Sequence, residues 1–249
     1  MSRVHRWCAG FGERHGEPVV VTLDGPALRL RALDGATAFL TAPFPPSGGE
    51  AAPGLDALVS SLLAHRRCAV LLVRRGGYAC AVVDLADGRG TVTTSKTGSR
   101  YVQSRTAAGG WSQQRFARRR EGQARDLVGA VSDVAARILL PALSPARPSG
   151  RPPVPLSAGP SGEPAAGPSG EPAAGPSGGP VAGAPCWLVT GGDRPLVDAV
   201  LADPRLRPLF ALPVGPHLAI GDPRADVVKA LPQRLTSARI TITDPPGPS

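Results

Sequence analysis

Residues 95–125 read SKTGSRYVQSRTAAGGWSQQRFARRREGQAR. Up to Arg120 the charged side chains are Lys96, Arg100, Arg105, Arg115, Arg118, Arg119 and Arg120, with no acid among them. The middle, Ala107-Ala108-Gly109-Gly110-Trp111-Ser112-Gln113-Gln114, is built of small residues and ends in two uncharged amides. Such a segment can follow a phosphate backbone with its arginines while a mobile tip carries a glutamine to one place. A solvated basic face would need neither the glycines nor the tryptophan nor the amides. Beyond the tip, Phe116, Ala124, Leu127, Val128, Val131, Val134, Ala135, Ile138 and Leu139 recur at helical spacing, and Pro141 closes the run. The expected helix is basic in its first turns and apolar in its later ones, so a buried half would anchor an exposed basic half.

Working outward, residues 91–94 are β-branched and read as a strand leading into this segment. Residues 69–73 and 78–83 are apolar runs split by Arg74-Arg75-Gly76-Gly77, the pattern of a hairpin with a basic turn. Residues 19–23 and 27–31 flank Asp24-Gly25-Pro26 and read as another hairpin, with 38–41 adding a strand and 7–11 a short first one. Leu55, Leu58, Val59, Leu62 and Leu63 predict an amphipathic helix over 54–66. Towards the C-terminus, strands are expected at 187–190, 217–220 and 239–243, and helices at 195–202 and 226–231. Strands interleaved with helices indicate an α/β (α+β) fold, a mixed β-sheet flanked by helices.

The 249 residues include 29 prolines and 31 glycines, and much of that excess lies between 141 and 185. There the unit GPSGEPAA recurs from Gly159, without aromatics or hydrophobic periodicity. This stretch cannot bury enough apolar area to offset its ordering entropy, so it reads as a disordered low-complexity tether. Glycine does not recur at every third position, which excludes collagen. The tether is expected to be an insertion, with residues 1–140 and 186–249 forming a single domain, because the second block is small to stand alone. Two domains joined by a linker are the alternative.

The net charge is +9, and its clustering points to nucleic acid rather than to composition alone. No apolar run reaches membrane-spanning length and no signal peptide is visible, so a cytoplasmic protein without membrane contact is expected, a monomer being favoured. Cys8, Cys68, Cys80 and Cys186 form no C-x-x-C pair and are expected to be free buried thiols. His5 and Cys8 lack a second ligand pair at zinc-site spacing, so no metal and no cofactor is expected. Asp24, Asp34, Asp84 and Asp87 are read at turn positions. His5, His15, His65 and His217 have no evident nucleophile beside them, and no phosphate-binding loop or nucleophile elbow occurs. An enzyme of this sequence would not carry its own general base.

The pattern resembles the signature of the actinobacterial branch of the VLRF-type peptidyl-tRNA hydrolases, relatives of the catalytic domain of archaeal and eukaryotic peptide-chain release factors. Its residues are Ser95-Lys96, Gly98-Ser99-Arg100-Tyr101, Arg105-Thr106 and Gly109-Gly110-Trp111-Ser112-Gln113-Gln114-Arg115-Phe116 with the arginine run. Arg6-Trp7, Ala9-Gly10-Phe11, Glu13-Arg14-His15-Gly16, Cys186-Trp187-Leu188-Val189 and Gly191-Gly192-Asp193-Arg194 fit as well. Release factors proper carry Gly-Gly-Gln, whereas Trp111 and Ser112 here separate the glycines from the amides.

The resemblance implies hydrolysis of the peptide–tRNA ester on stalled ribosomes or large subunits, with ribosomal RNA and peptidyl-tRNA as partners. It assigns water positioning to Gln113, with Gln114 as runner-up, and loop hinges to Gly109 and Gly110. Lys96, Arg100, Arg105, Trp111, Arg115, Arg118, Arg119 and Arg120 are the implied RNA contacts. The alternative is a non-catalytic RNA- or ribosome-binding module using the same loop and helix.

Overall fold

The computed structural model describes residues 3–24, 26–45, 54–99, 112–143 and 184–244, with side chains of 112–120 excluded. Chain order begins α1 (Arg3–His15), β1 (Val20–Asp24), β2 (Ala27–Arg31), β3 (Thr37–Thr41), α2 (Leu55–Leu63), β4 (Arg66–Arg74), β5 (Gly77–Ala86) and β6 (Arg89–Ser99). It continues with α3 (Ser112–Leu139), a 3-10 turn (Leu140–Leu143), β7 (Cys186–Gly192) and α4 (Arg194–Leu201). A 3-10 helix (Pro204–Ala211), β8 (Val214–Leu218), α5 (Ala225–Thr236) and β9 (Arg239–Thr243) complete the described chain. No helix among the described residues is long and apolar enough to cross a membrane.

The fold is mixed α/β, as expected, but the strands form two sheets rather than one. The larger has the order β6-β5-β4-β7-β8, and the smaller is antiparallel with the order β1-β2-β3-β9. In the larger sheet β5 pairs antiparallel with β4 and β6, while β7 runs parallel to β4 and β8 parallel to β7. Only β5 therefore runs against the rest. One face, carrying Leu71, Val73, Tyr78, Cys80 and Leu188, packs against α3, α4 and the 3-10 helix. The other, with Val70, Leu72, Ala81, Val83 and Val189, packs against α5 and Phe44. Both faces of β4 and β5 are thus dry, which is why their sequences are unbroken apolar runs.

The segment read as a first strand, 7–11, lies inside α1. Val4, Trp7, Cys8 and Phe11 fall at helical spacing and turn one face onto the small sheet's core of Leu28, Leu30, Ala38 and Leu40. Asp84, read as a turn residue, lies inside β5, near its C-terminal end. It takes 2.7 and 3.0 Å hydrogen bonds from the guanidinium of Arg67, which stands opposite it on β4. Asp34 does occupy a turn, its carboxylate accepting from the Ala36 amide at 2.8 Å. The last helix is longer than the periodicity showed and passes through Pro232, and the strand expected at 217–220 is instead Val214–Leu218. Of the stretch expected to be a disordered tether, 141–143 lie in the 3-10 turn and 144–183 fall outside the described residues.

Cys68 and Cys80 are buried, Cys8 and Cys186 half-buried, and all four are free. Burial raises each thiol's pKa, that of Cys80 to about 12, so these sulfurs stay protonated and inert. Buried Arg66 ties three segments together. It donates to the carbonyls of Ser61 and Pro45 and lies over the rings of Phe44 and Trp187 at 5.0 and 5.8 Å. Trp187 packs edge-on against Phe44 at 5.4 Å, as a core aromatic should.

Candidate nucleic-acid interface

Because β4, β6, β7 and β8 run the same way, their carboxyl ends gather at one end of the large sheet. The register places Ser99, the last residue of β6, opposite Gly77, and Val73 opposite Gly192. The basic segment leaves the sheet at Ser99 and returns as α3 at Ser112, so it is anchored at this end. Crevices outside the carboxyl ends of such strands are the usual place for ligands in open α/β sheets.

Two glycines permit the close approach here. Tyr78 is buried with its ring against Gly98 of β6, where an added Cβ would stand 2.5 Å from the phenol. Gly192 has φ +92, and a Cβ there would come 2.2 Å from the Val73 carbonyl. Neither position accepts a side chain without moving backbone or the ring.

Lys96 is exposed on the edge strand β6, opposite Cys80, so it shares the face that α3 covers. Along α3 no residue from Glu121 to Asp126 is buried, whereas Leu127, Val131, Val134, Ala135 and Leu139 are. The turns before Leu127 span about 20 Å at 1.5 Å per residue. Gln113, Gln114, Arg115, Arg118, Arg119 and Arg120 all belong to them, since the helix starts at Ser112. The expectation placed the amides on a loop tip; their backbone instead forms the first helical turn. Arg100, Arg105, Gly109, Gly110 and Trp111 lie outside the described residues.

Further basic residues share this end without having been assigned to it. Arg74 and Arg75 form the β4–β5 turn, Arg194 opens α4, and all three are exposed. Arg74 donates to the Ile220 carbonyl at 2.7 Å, and two-thirds-exposed Arg75 lies 3.8 Å from Asp193. Solvent screening leaves that pair little energy and Arg75 available to another anion. The turn was legible as basic; its neighbourhood depended on strand pairing.

His217 also joins this end. Its Nδ1 is 2.9 Å from the Thr190 hydroxyl and its Nε2 is 3.2 Å from the Gly192 carbonyl. A carbonyl can only accept, so Nε2 carries a proton, while the Thr190 hydroxyl, which can donate or accept, meets Nδ1. The ring is thereby committed to holding β8 against β7. The other three histidines pair with Asp56, Asp34 and Asp87. No group of three or more His, Cys, Asp or Glu that could hold a metal occurs among the described residues.

The family model described as Actinobacteria/chloroflexi VLRF1 release factor matches residues 66–241, more than half of the chain. The match begins at buried Arg66 and ends within the last strand, so it contains the whole large sheet and every strand end described above. No curated protein matches.

Proposed function

The chain belongs to the Actinobacteria/chloroflexi VLRF1 release-factor family, and on that premise we propose that it hydrolyses the ester joining a nascent peptide to tRNA on stalled ribosomes or large subunits. The observation that carries this reading is the division of α3 at Leu127. Its later turns are locked in the core, and the turns that bear the amides and the arginine run precede Leu127, the first buried residue of the helix among those whose burial is described.

In this reaction water adds to the ester carbonyl carbon, the bond to the terminal ribose oxygen breaks, and that oxygen leaves protonated. The difficulty is to hold one water in line inside a centre that ribosomal RNA keeps dry. An amide both donates and accepts, so Gln113 can hold that water without changing charge. Positioning of this kind can supply on the order of 7–11 kcal/mol in the best-oriented cases. Gly109 and Gly110, lacking Cβ, would let the segment thread a narrow RNA passage. Lys96, Arg100, Arg105, Arg115, Arg118, Arg119 and Arg120 would hold phosphates, for which the guanidinium fork is suited, and Trp111 would stack on a base. The pairing of β7 with β4 and of β9 with β3 supports reading the segments on either side of 141–185 as one domain.

Peptide release is to be measured with intact ribosomes, split large subunits and free peptidyl-tRNA. Gln113→Ala is expected to cut release by orders of magnitude with an unchanged melting temperature. Loss in Gln114→Ala alone moves the role by one residue. Full activity in both variants leaves a non-catalytic ribosome-binding protein and ends the hydrolase reading.

A further inference from the structure

Two depressions lie between the N-terminal elements and the rest of the protein, the first of them reaching the carboxyl end of β8. One, of about 640 Å³, runs past Thr41, His217, Arg234, Ser237 and Arg239. The second, of about 550 Å³, runs past Arg3, Trp7, Arg89, Gln233, Thr236 and Ser237. They share Ser237 and Ala238, so they meet at the corner between α5 and β9. Neither contains an aspartate or glutamate among its described lining residues.

Four arginines line this groove. Arg67, Arg205 and Arg224 each stand within salt-bridge distance of an aspartate. Arg3, Arg89, Arg234 and Arg239 are exposed, and none pairs with a carboxylate among the described residues. The nearest acid in sequence, Asp87, sits beside Gly88 and faces His65 at 3.3 Å. Serine and threonine hydroxyls and the Gln233 amide interleave the guanidinium groups, and Trp7 lies at one end, half-buried and stacked on Phe11 at 5.6 Å.

We infer that this groove is a second RNA-binding surface, which holds a single-stranded segment with its phosphates on the four arginines and a base against Trp7. Four cations without a carboxylate partner among the described residues, in a channel with no acid among its described lining, are the electrostatic footprint of a polyanion; Arg234 alone of them donates to a backbone carbonyl, that of Ala219 at 3.2 Å. The channel is concave, so a planar bilayer would not reach its walls. An acidic peptide would bring no base to stack on Trp7, which borders the groove. Arg3 and Trp7 come from α1, outside the family match, and the other arginines from within it. The surface exists only where the two parts meet.

The test measures binding of a short single-stranded RNA of mixed sequence to the full chain across a salt series. Arg115, Arg118, Arg119 and Arg120 are replaced by alanine throughout, so that the α3 arginine contacts are absent. In that background, changing Arg3, Arg89, Arg234 and Arg239 to glutamine should lower the log–log salt slope by roughly 0.7 for every phosphate that is no longer neutralised. The same four positions as lysine should keep the slope, which separates lost charge from a damaged fold. RNA should quench tryptophan emission, and Trp7→Phe should remove that part of the quench. An unchanged slope in the glutamine variant overturns the inference. So does equal or tighter binding to phosphatidylglycerol vesicles or polyglutamate. No peptide release is read here, so failure of the hydrolase reading would leave this result intact.

Discussion

The two sheets solve burial differently. In the large sheet β4 is buried from Cys68 to Val73 and β5 from Gly77 to Leu85, because helices cover both faces. In the small one β2 and β3 alternate, with Leu28, Leu30, Ala38 and Leu40 inward, and β1 is exposed along its length. A sheet covered twice can hold strand ends rigidly and present a functional segment from its edge. A sheet covered once trades that rigidity for a wettable face, and here its last strand, β9, borders the basic groove. The two are not independent. The chain after residue 185 gives β7 and β8 to the large sheet and β9 to the small one.

Truncation after Pro185 tests that dependence most severely. It strips β7 from beside β4 and β9 from beside β3, opening an edge in each sheet. Thermal melts of residues 1–185 should show no cooperative transition, with aggregation on warming. A fragment that melts cooperatively near the full-length temperature would establish two separately folding units. Replacing 144–183 by a shorter Gly/Ser linker should by contrast leave the melt unchanged.

Within the large sheet, Asp84→Ala should cost about 3–5 kcal/mol, since it leaves the Arg67 guanidinium charged and largely buried. Leu71→Ala, fully buried under α3 and α4, should cost about 2–5 kcal/mol. In the small sheet Val21, 46% exposed on β1, should change stability by no more than about 0.5 kcal/mol as threonine. Urea midpoints at constant m-value measure all three. A Val21→Thr cost approaching that of Leu71→Ala would show the outer face of β1 to be covered by a partner.

Local pattern carried much of the fold. The Asp24-Gly25-Pro26 signal marked the first hairpin, the Arg74-Arg75-Gly76-Gly77 turn the second, and the stripe from Leu127 to Leu139 the anchored half of α3. Trp7 to Phe11 was misread because a five-residue window cannot separate a short strand from one turn of helix; the wider spacing from Val4 to Phe11 does. Asp84 was misread because aspartate is a turn former by default. Its place inside a strand depends on Arg67, which is close only through the β4–β5 register. The 3-10 helix Pro204–Ala211 has no period long enough to register, and Pro232 made α5 look shorter than it is.

By itself the sequence determined most of the elements, the basic and amide-bearing segment, and the family that this segment resembles. Each of these is written in near neighbours, through side-chain period, turn chemistry and clustered charge. Only the tertiary structure decided that there are two sheets and that β9 is an edge strand of the smaller one. It alone set Arg74, Arg75, Arg194 and His217 around the end from which the segment leaves. It alone lined up Arg3, Arg89, Arg234 and Arg239 along one acid-free groove. A buried face records that it is covered and not by what, so contacts between residues far apart in the chain had to come from packing.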